Sequence, residues 1–200
     1  MNAITLSGLL ILVIFYAAFF IKMMMMKQRG LVSNLLGKGQ KPEKARRVER
    51  WLQAVTYGGA CFQFASPFLG GIIWGPPLPP GARVTGLALA AIGAVVFIMA
   101  MINMKNNWRS GCDQSQNTSL VTGGLYRVSR NPAFVGFDLL YLGWALAFPN
   151  IISGLIAAAV LIIFNMQIVE EEKFLEAAFG RSYLEYKARV NRYFGRKPQR

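Results

Sequence analysis

Five long apolar runs constrain the fold of this chain more than any other feature. They cover residues 4–21, 52–73, 84–102, 133–148 and 151–169. Each reaches or approaches the roughly 20 helical residues that cross a hydrocarbon core. Of the 200 residues, 54% are hydrophobic and 16% are charged, a composition typical of polytopic membrane proteins. The sequence therefore predicts an all-α membrane helix bundle with about five transmembrane helices.

The runs also predict how the bundle is organised. Only Pro149-Asn150 separates the fourth and fifth runs, which predicts a tight helical hairpin. Residues 170–194 place apolar side chains at steps of three or four, which predicts a cytosolic amphipathic helix, with Gly180 as a kink or cap. We expect two regions, 1–104 with three spans and a basic loop, and 105–200 with the catalytic elements. In the third run, small residues at helical spacing predict close helix packing: Gly86, Ala90 and Gly93.

Charge placement predicts the orientation in the membrane. Basic residues cluster in three segments: Lys27, Arg29, Lys38, Lys41, Lys44, Arg46, Arg47 and Arg50, then Lys105, Arg109, Arg127 and Arg130, then the tail 173–200. The positive-inside rule then places the N-terminus outside and these segments in the cytoplasm. The first run lacks a basic n-region and a cleavage site, so we expect a retained helix. The net charge of +13 is attributed to topology and anionic lipids, and no nucleic-acid partner is expected.

The composition also excludes several kinds of catalytic site. The chain has no histidine, which excludes imidazole bases, His-ligated zinc and Ser-His nucleophile systems. Its two cysteines, Cys61 in a predicted span and Cys112 in a loop, lack metal-site spacing and are not expected to pair. No metal site is predicted.

The basic segment 27–50 has two interpretations. Its apolar residues Leu31, Val32, Leu35 and Leu36 form either a short amphipathic segment in the headgroup region or part of a solvated linker. The sequence leaves both open.

Polar motifs flank the predicted hairpin on both sides. Leu120-Val121-Thr122-Gly123-Gly124-Leu125-Tyr126 and Ser129-Arg130-Asn131-Pro132 precede it, and Glu170-Glu171-Glu172 follow it. Polar groups at a membrane boundary are unfavourable unless they have a function. We therefore expect the functional site here.

At these residues the chain resembles the isoprenylcysteine carboxyl methyltransferase and phospholipid methyltransferase superfamily, integral-membrane enzymes that use S-adenosylmethionine. The resemblance covers about residues 105–194. It is carried by Leu120-Val121, Gly124, Tyr126, Arg130-Asn131-Pro132, Phe134 and Gly136, and by Glu171-Glu172, Leu175, Phe179-Gly180 and Tyr183.

The resemblance implies which residues contact S-adenosylmethionine: Thr118, Ser119, Leu120, Val121, Tyr126, Asn131, Pro132, Phe134 and Glu171. Glu171 would accept hydrogen bonds from ribose hydroxyls or the cofactor ammonium. Tyr126 and Phe134 would offer aromatic faces to adenine or to the sulfonium. Arg130 is a candidate catalytic residue that would hold the methionine carboxylate or brace the loop.

Departures from the family pattern concern the methyl acceptor. The family histidine is Asn131 here, as in the phospholipid N-methyltransferase arm, which also resembles the run from Tyr141 to Ala145. The arginine thought to hold a substrate carboxylate in the carboxyl methyltransferase arm is Gln167 here. Gln167, Tyr141 and Asp138 are therefore the candidate acceptor-binding residues.

Asp138 lies inside the fourth apolar run, where an ionisable residue is expected to be functional. It is a candidate catalytic residue, because an ammonium acceptor must first lose a proton and would benefit from a nearby base. We expect it to face the active-site cavity and to disfavour a carboxylate acceptor, although a pairing role is an alternative. The resemblance implies a carboxyl-methyltransferase-like enzyme acting on a lipophilic or lipidated acceptor in the membrane. A phospholipid N-methyltransferase is the alternative. A non-catalytic membrane protein or a membrane reductase remains open, although no G-x-G-x-x-G fingerprint is present.

Overall fold

The computed structural model describes residues 2–69, 75, 78–111 and 119–197. Five helices account for most of this part of the chain: α1 (Ala3–Gln28), α2 (Glu43–Ala65), α3 (Pro80–Met104), α4 (Pro132–Ala147) and α5 (Ile151–Arg189). Three short 3₁₀ turns accompany them: Ser66–Phe68, Lys105–Asn107 and Gly124–Arg127. The all-α prediction is confirmed for the described residues.

Three of the described helices are long and apolar enough to cross a membrane, namely α1, α3 with the turn that follows it, and α5. The expected count of five is therefore not established. Helix α4 has only 16 residues. Helix α2 differs from the predicted run 52–73: it begins at Glu43 because a charged, helix-compatible stretch extends it, and it ends at Ala65. Residues 70–73 of that run lie outside the described residues.

Helices α3 and α4 approach each other at their backbones. A Cβ added to Gly93 would lie 2.6 Å from the Leu140 nitrogen, and one added to Gly143 would lie 2.6 Å from the Gly86 carbonyl oxygen. Only glycine permits such approaches without displacing the backbone. The predicted close packing of small residues in the third run is confirmed, and it anchors α4.

Aromatic side chains fill the space between α1, α3, α4 and α5. The ring centroid of Phe97 lies 4.5 Å from that of Phe15 and 4.7 Å from that of Phe137. Phe137 in turn makes an edge-to-face contact with Phe164, with centroids 5.2 Å apart. Such pairs stabilise the bundle beyond the area they bury, and Phe137 and Phe164 also line the site described below.

The predicted hairpin is present, since α4 ends at Ala147 and α5 begins at Ile151. The Asn150 side chain caps α5 by accepting a hydrogen bond of 2.8 Å from the Ser153 N–H. The helix predicted over 170–194 begins as a continuation of α5 rather than as a separate element, and it ends at Arg189. Gly180 is non-helical (φ 50°, ψ −124°) and kinks the helix, as predicted.

Residues 190–197, which we name the C-terminal strap, fold back against the segment that precedes α4. The Gly195 N–H donates to the Val128 carbonyl at 2.8 Å, and the Arg130 N–H donates to the Asn191 carbonyl at 3.1 Å. The strap therefore ties the end of α5 to the start of α4.

The basic segment between α1 and α2 also folds inward. The Leu35 N–H donates to the Ser110 carbonyl at 2.9 Å, and the Ser110 N–H donates to the Ser33 carbonyl at 2.8 Å. Leu35 is only 5% exposed. Neither a headgroup segment nor a solvated linker describes this residue, because backbone pairing with Ser110 holds it inside the protein.

Candidate functional site

A cavity of about 220 Å³ lies where these segments meet. Apolar side chains from all five helices line it: Phe19, Leu52, Met104, Ala133, Phe134, Phe137, Phe164, Phe174, Leu175 and Phe179. Polar lining comes mainly from the segments that connect the helices and from α5: Asn107, Arg109, Ser119, Tyr126, Arg130, Asn131, Gln167, Glu171 and Tyr186. A largely apolar pocket with a few convergent polar groups is typical of a small-molecule site.

Gln167 and Glu171 form one polar wall of the cavity, one helical turn apart on α5. Gln167 is 1% exposed, and its Nε2 donates to Glu171 Oε1 at 3.1 Å. Within the described residues, Gln167 Oε1 is buried and has no hydrogen-bond partner. A buried carbonyl oxygen in this state is unfavourable unless a ligand donates to it. This wall therefore suits a ligand that carries O–H or N–H donors.

Arg130 presents hydrogen-bond donors to the cavity, whereas Gln167 and Glu171 present acceptors. Its Nη2 lies 2.9 Å from Glu172 Oε1, and both side chains are 6% exposed. In the described part of the chain, Arg130 Nε and Nη1 are buried without a partner. Arg130 therefore offers unused donors, which suit a carboxylate.

The segment from Ser119 to Tyr126 is held in place by polar contacts on both sides. Asn107 and Ser119 exchange two hydrogen bonds, of 2.9 and 3.0 Å. The Tyr186 hydroxyl donates to the Tyr126 carbonyl at 2.7 Å. Burial, and then the negative charge of Glu171, raise the pKa of the Tyr126 phenol. Tyr126 therefore stays a neutral aromatic side chain beside Glu171.

Helix α4 begins at Pro132, and Asn131 is its N-cap residue. The Asn131 Nδ2 donates to the Arg192 carbonyl at 3.1 Å, so this side chain holds the strap and also lines the cavity. Pro132 occupies the first turn of α4, where its missing N–H has no consequence. It is buried but does not line the cavity.

The expectation that Asp138 faces the cavity is wrong. Its neighbour Phe137 lines the cavity, and Asp138 does not, because consecutive helical residues point about 100° apart. Burial, and then the negative charge of Asp138, raise the pKa of Tyr193 in the strap. The charge of Asp138 therefore acts on the strap, although among the described residues its buried Oδ1 has no hydrogen-bond partner.

Tyr141 is also absent from the cavity lining. Its hydroxyl donates to the Thr56 carbonyl at 3.2 Å, and Thr56 does line the cavity. Tyr141 therefore packs between α4 and α2 and contacts a residue that lines the cavity without lining it itself.

The structure brings most of the remaining candidates together around one cavity. Lining residues among them are Ser119, Leu120, Val121, Tyr126, Arg130, Asn131, Phe134, Gln167 and Glu171. Thr118 lies outside the described residues. Their roles stay predictions.

Sequence reasoning missed the contributions of the basic segment, of Trp108 and Arg109, and of the strap. Leu35, Trp108 and Arg109 line the cavity, and Arg192 contacts Glu172. An apolar pair inside a basic segment, Leu35-Leu36, was the available signal for the first. No periodicity or motif marks Arg192.

A family model described as phospholipid methyltransferase matches residues 82–182, half of the chain. The chain belongs to the phospholipid methyltransferase family. The resemblance identified from the motifs is thereby confirmed. The matched stretch contains α3, α4 and most of α5, which carry much of the cavity wall.

Relatives of this phospholipid methyltransferase family member are named protein-S-isoprenylcysteine O-methyltransferase. The Schizosaccharomyces pombe protein is 30% identical over 54% of this chain and 47% of its own length. The Homo sapiens protein is 34% identical over 54% of this chain and 39% of its own. The B form from Arabidopsis thaliana is 32% identical over 52% and 55%. The chain thus spans about half the length of the curated relatives it matches.

Part of the cavity wall lies outside the stretch that defines the family. Phe19 on α1, Leu35 before α2, and Leu52 and Thr56 on α2 precede residue 82 and still line the cavity. In this family member, residues before the family stretch, and Tyr186 after it, therefore complete a site whose remaining lining comes from the family stretch.

Proposed function

We propose that this protein is an S-adenosylmethionine-dependent methyltransferase, similar to isoprenylcysteine carboxyl methyltransferases, that acts on a lipophilic acceptor at the cytoplasmic membrane face. One observation carries the proposal. The cavity combines an apolar lining with two sets of buried, unpartnered polar atoms, on Arg130 and on Gln167. The names of the relatives and the family model support it further.

The residues fit an amino-acid-bearing nucleoside. Arg130 has donors for a carboxylate, and Glu171 has acceptor capacity for ribose hydroxyls or an ammonium. Phe134 and Tyr126 supply aromatic faces for an adenine ring or a sulfonium. Ser119, Leu120 and Val121 line the same cavity.

When bound, S-adenosylmethionine supplies an electrophilic methyl group. The chain's own residues would orient the two reactants and exclude water, and such alignment supplies much of the rate enhancement in a displacement without a covalent enzyme intermediate. Leu35 from the basic segment, Phe174 from α5 and Tyr126 enclose the cavity for this purpose.

The acceptor has two candidates within this proposal. The relatives' name favours a prenylated cysteine carboxylate. An amine is favoured by the unpartnered Gln167 Oε1 and the carboxylate of Glu171 beside it, since both are acceptors. Asp138 does not enter this choice, because it does not line the cavity.

The cytoplasmic location is part of the proposal. Basic residues dominate the segments next to the cavity, including Arg109, Arg130 and the strap residues Arg192 and Arg196. The positive-inside rule supports a cytoplasmic cavity and an external N-terminus. In sealed right-side-out vesicles, protection of a C-terminal tag from added protease would support this orientation. Cleavage of the tag by protease added outside would contradict it.

The decisive experiment supplies labelled S-adenosylmethionine to the purified protein with a lipid extract and, separately, with a prenylated cysteine. Label released by alkali as methanol identifies a methyl ester. Label that stays on an extractable lipid identifies N-methylation. No transfer to either acceptor and no binding of S-adenosylhomocysteine would refute the proposal.

Replacing Glu171 with Gln tests the assignment of the site. Burial raises the pKa of Glu171 to about 7, so the test is run at about pH 8, where the carboxylate is mainly ionised. Glu171→Gln keeps the size of the side chain but removes this charge, so we expect S-adenosylhomocysteine to bind about 10- to 100-fold more weakly by calorimetry, as expected for loss of a charge-assisted hydrogen bond. Glu185→Gln is the matched control, because Glu185 is an exposed residue of the same helix. Equal affinities of the two variants would remove Glu171 from the site.

A further inference from the structure

Two arginines from different parts of the chain share the carboxylate of Glu172. Arg192, in the strap, contacts both oxygens: its Nε lies 3.2 Å from Oε1 and its Nη2 lies 2.8 Å from Oε2. Arg130 contacts only Oε1, through Nη2 at 2.9 Å. Arg192 therefore has the two-point pairing that a guanidinium and a carboxylate prefer, and Arg130 does not.

This unequal sharing leaves Arg130 with unused donors. Among the described residues, its Nε and Nη1 have no partner although they are buried, and the side chain is 6% exposed. A buried, unsatisfied guanidinium is unfavourable in the ligand-free protein. Arg130 also lines the cavity. Its free donors are therefore available to an anionic group there.

The strap fixes the position of Arg192. The Arg192 carbonyl accepts a hydrogen bond of 3.1 Å from Asn131 Nδ2, and its neighbour Asn191 accepts one from the Arg130 N–H. The strap is thus attached to the same turn that carries Arg130. The hydrogen bond with Glu172 also raises the pKa of Arg192, so this side chain stays charged.

We propose that Arg192 is a positioning residue: by occupying both oxygens of Glu172, it prevents a two-point pairing of Glu172 with Arg130 and leaves Arg130 free to bind a carboxylate in the cavity. This inference rests on the proposed function. The carboxylate belongs either to the methionine moiety of the methyl donor or to an acidic acceptor. Without Arg192, Glu172 is free to rotate and to take a second donor from Arg130.

The test measures binding to the full chain in detergent by calorimetry. The probes are S-adenosylhomocysteine and its decarboxylated analogue, which keeps the amine and the nucleoside. For Arg192→Gln we expect S-adenosylhomocysteine to bind about tenfold more weakly, while the analogue changes less than about twofold. Arg192→Lys keeps a charge near Glu172 but makes a one-point contact, so its affinity should be intermediate.

Arg189→Gln is the matched control, because Arg189 lies three residues earlier and its Nε donates to the Glu185 carbonyl at 3.2 Å. It should bind both probes like the wild type. If Arg192→Gln weakens both probes equally, its role is general folding of the strap, and the proposal is overturned.

A second arm identifies the source of the carboxylate. If S-adenosylhomocysteine binding is unchanged but the KM for a prenylated cysteine rises about tenfold, the carboxylate belongs to the acceptor and the proposal stands. If neither quantity changes, the proposal is overturned while the methyltransferase assignment survives. If the wild-type protein binds neither probe and has no activity, both proposals fail.

Discussion

The α3–α4 interface and the junction of Arg130, Glu172 and Arg192 hold the same site together by opposite means. At the interface, glycines bring two backbones into contact, as at Gly93 and Gly143. At the junction, one carboxylate joins two guanidinium groups. Lipid offers no hydrophobic drive for helix association, so close packing dominates inside the membrane. Near water, a charged side chain can pair with another side chain or with a ligand, so the junction is suited to binding. The interface is suited to holding two helices permanently together.

The largest expected effect tests the junction. Glu172→Ala leaves the buried Arg130 guanidinium without its ion pair, and breaking such a pair typically costs about 3–5 kcal/mol. We expect a clear fall in the free energy of unfolding, measured by denaturant titration in mild detergent. Glu185→Ala removes an exposed pair and should lie within about 0.5 kcal/mol of the wild type. Similar values for the two variants would mean that the junction contributes little to stability.

A smaller effect tests the interface. Gly143→Ala introduces a Cβ that would meet backbone atoms of α3, including the Gly86 carbonyl oxygen at 2.6 Å, and overpacking of this kind costs about 1–3 kcal/mol. The thermal midpoint in detergent should fall. Gly154→Ala is the control, because nothing lies within 4 Å of its added Cβ, and helix propensity favours alanine by about 1 kcal/mol. Equal midpoints would contradict the close-packing account.

The smallest effect concerns Asp138, which lies on α4 between the two regions. Because Phe137 and not Asp138 lines the cavity, Asp138→Asn should leave the acceptor preference unchanged and kcat/KM within about twofold of the wild type. The measurement compares labelled methyl transfer to an amine and to a carboxylate acceptor. A switch in preference would contradict this placement and would show that Asp138 acts on the acceptor site.

The sequence alone predicts the helical class, the hairpin, the kink at Gly180 and the small-residue packing of the third run. These features depend on local periodicity, length and residue size, which are properties of the amino-acid sequence. The number of transmembrane spans could not be predicted as well from the sequence. Helix α2 begins with charged residues, and α4 has 16 residues, so hydropathy and length do not fix how either one sits.

For the candidate site too, the sequence predicted some residues and missed others. The motifs and their spacing predicted that Tyr126, Arg130 and Glu171 belong to one site, and all three line the same cavity. These residues lie in the motifs that precede and follow one hairpin. The prediction failed for Asp138, since one residue of helical rotation decides whether Phe137 or Asp138 lines the cavity. Leu35 was missed because its burial comes from backbone pairing with Ser110, 75 residues away in the chain.

The sequence by itself determined that this protein is a helical membrane bundle with polar motifs at both ends of a hairpin, because composition and periodicity are local properties. Only the tertiary structure decided that Glu172 is divided between Arg130 and Arg192. That division depends on a strap that returns to a turn 61 residues earlier, and no local pattern encodes which of two arginines takes both oxygens of one carboxylate.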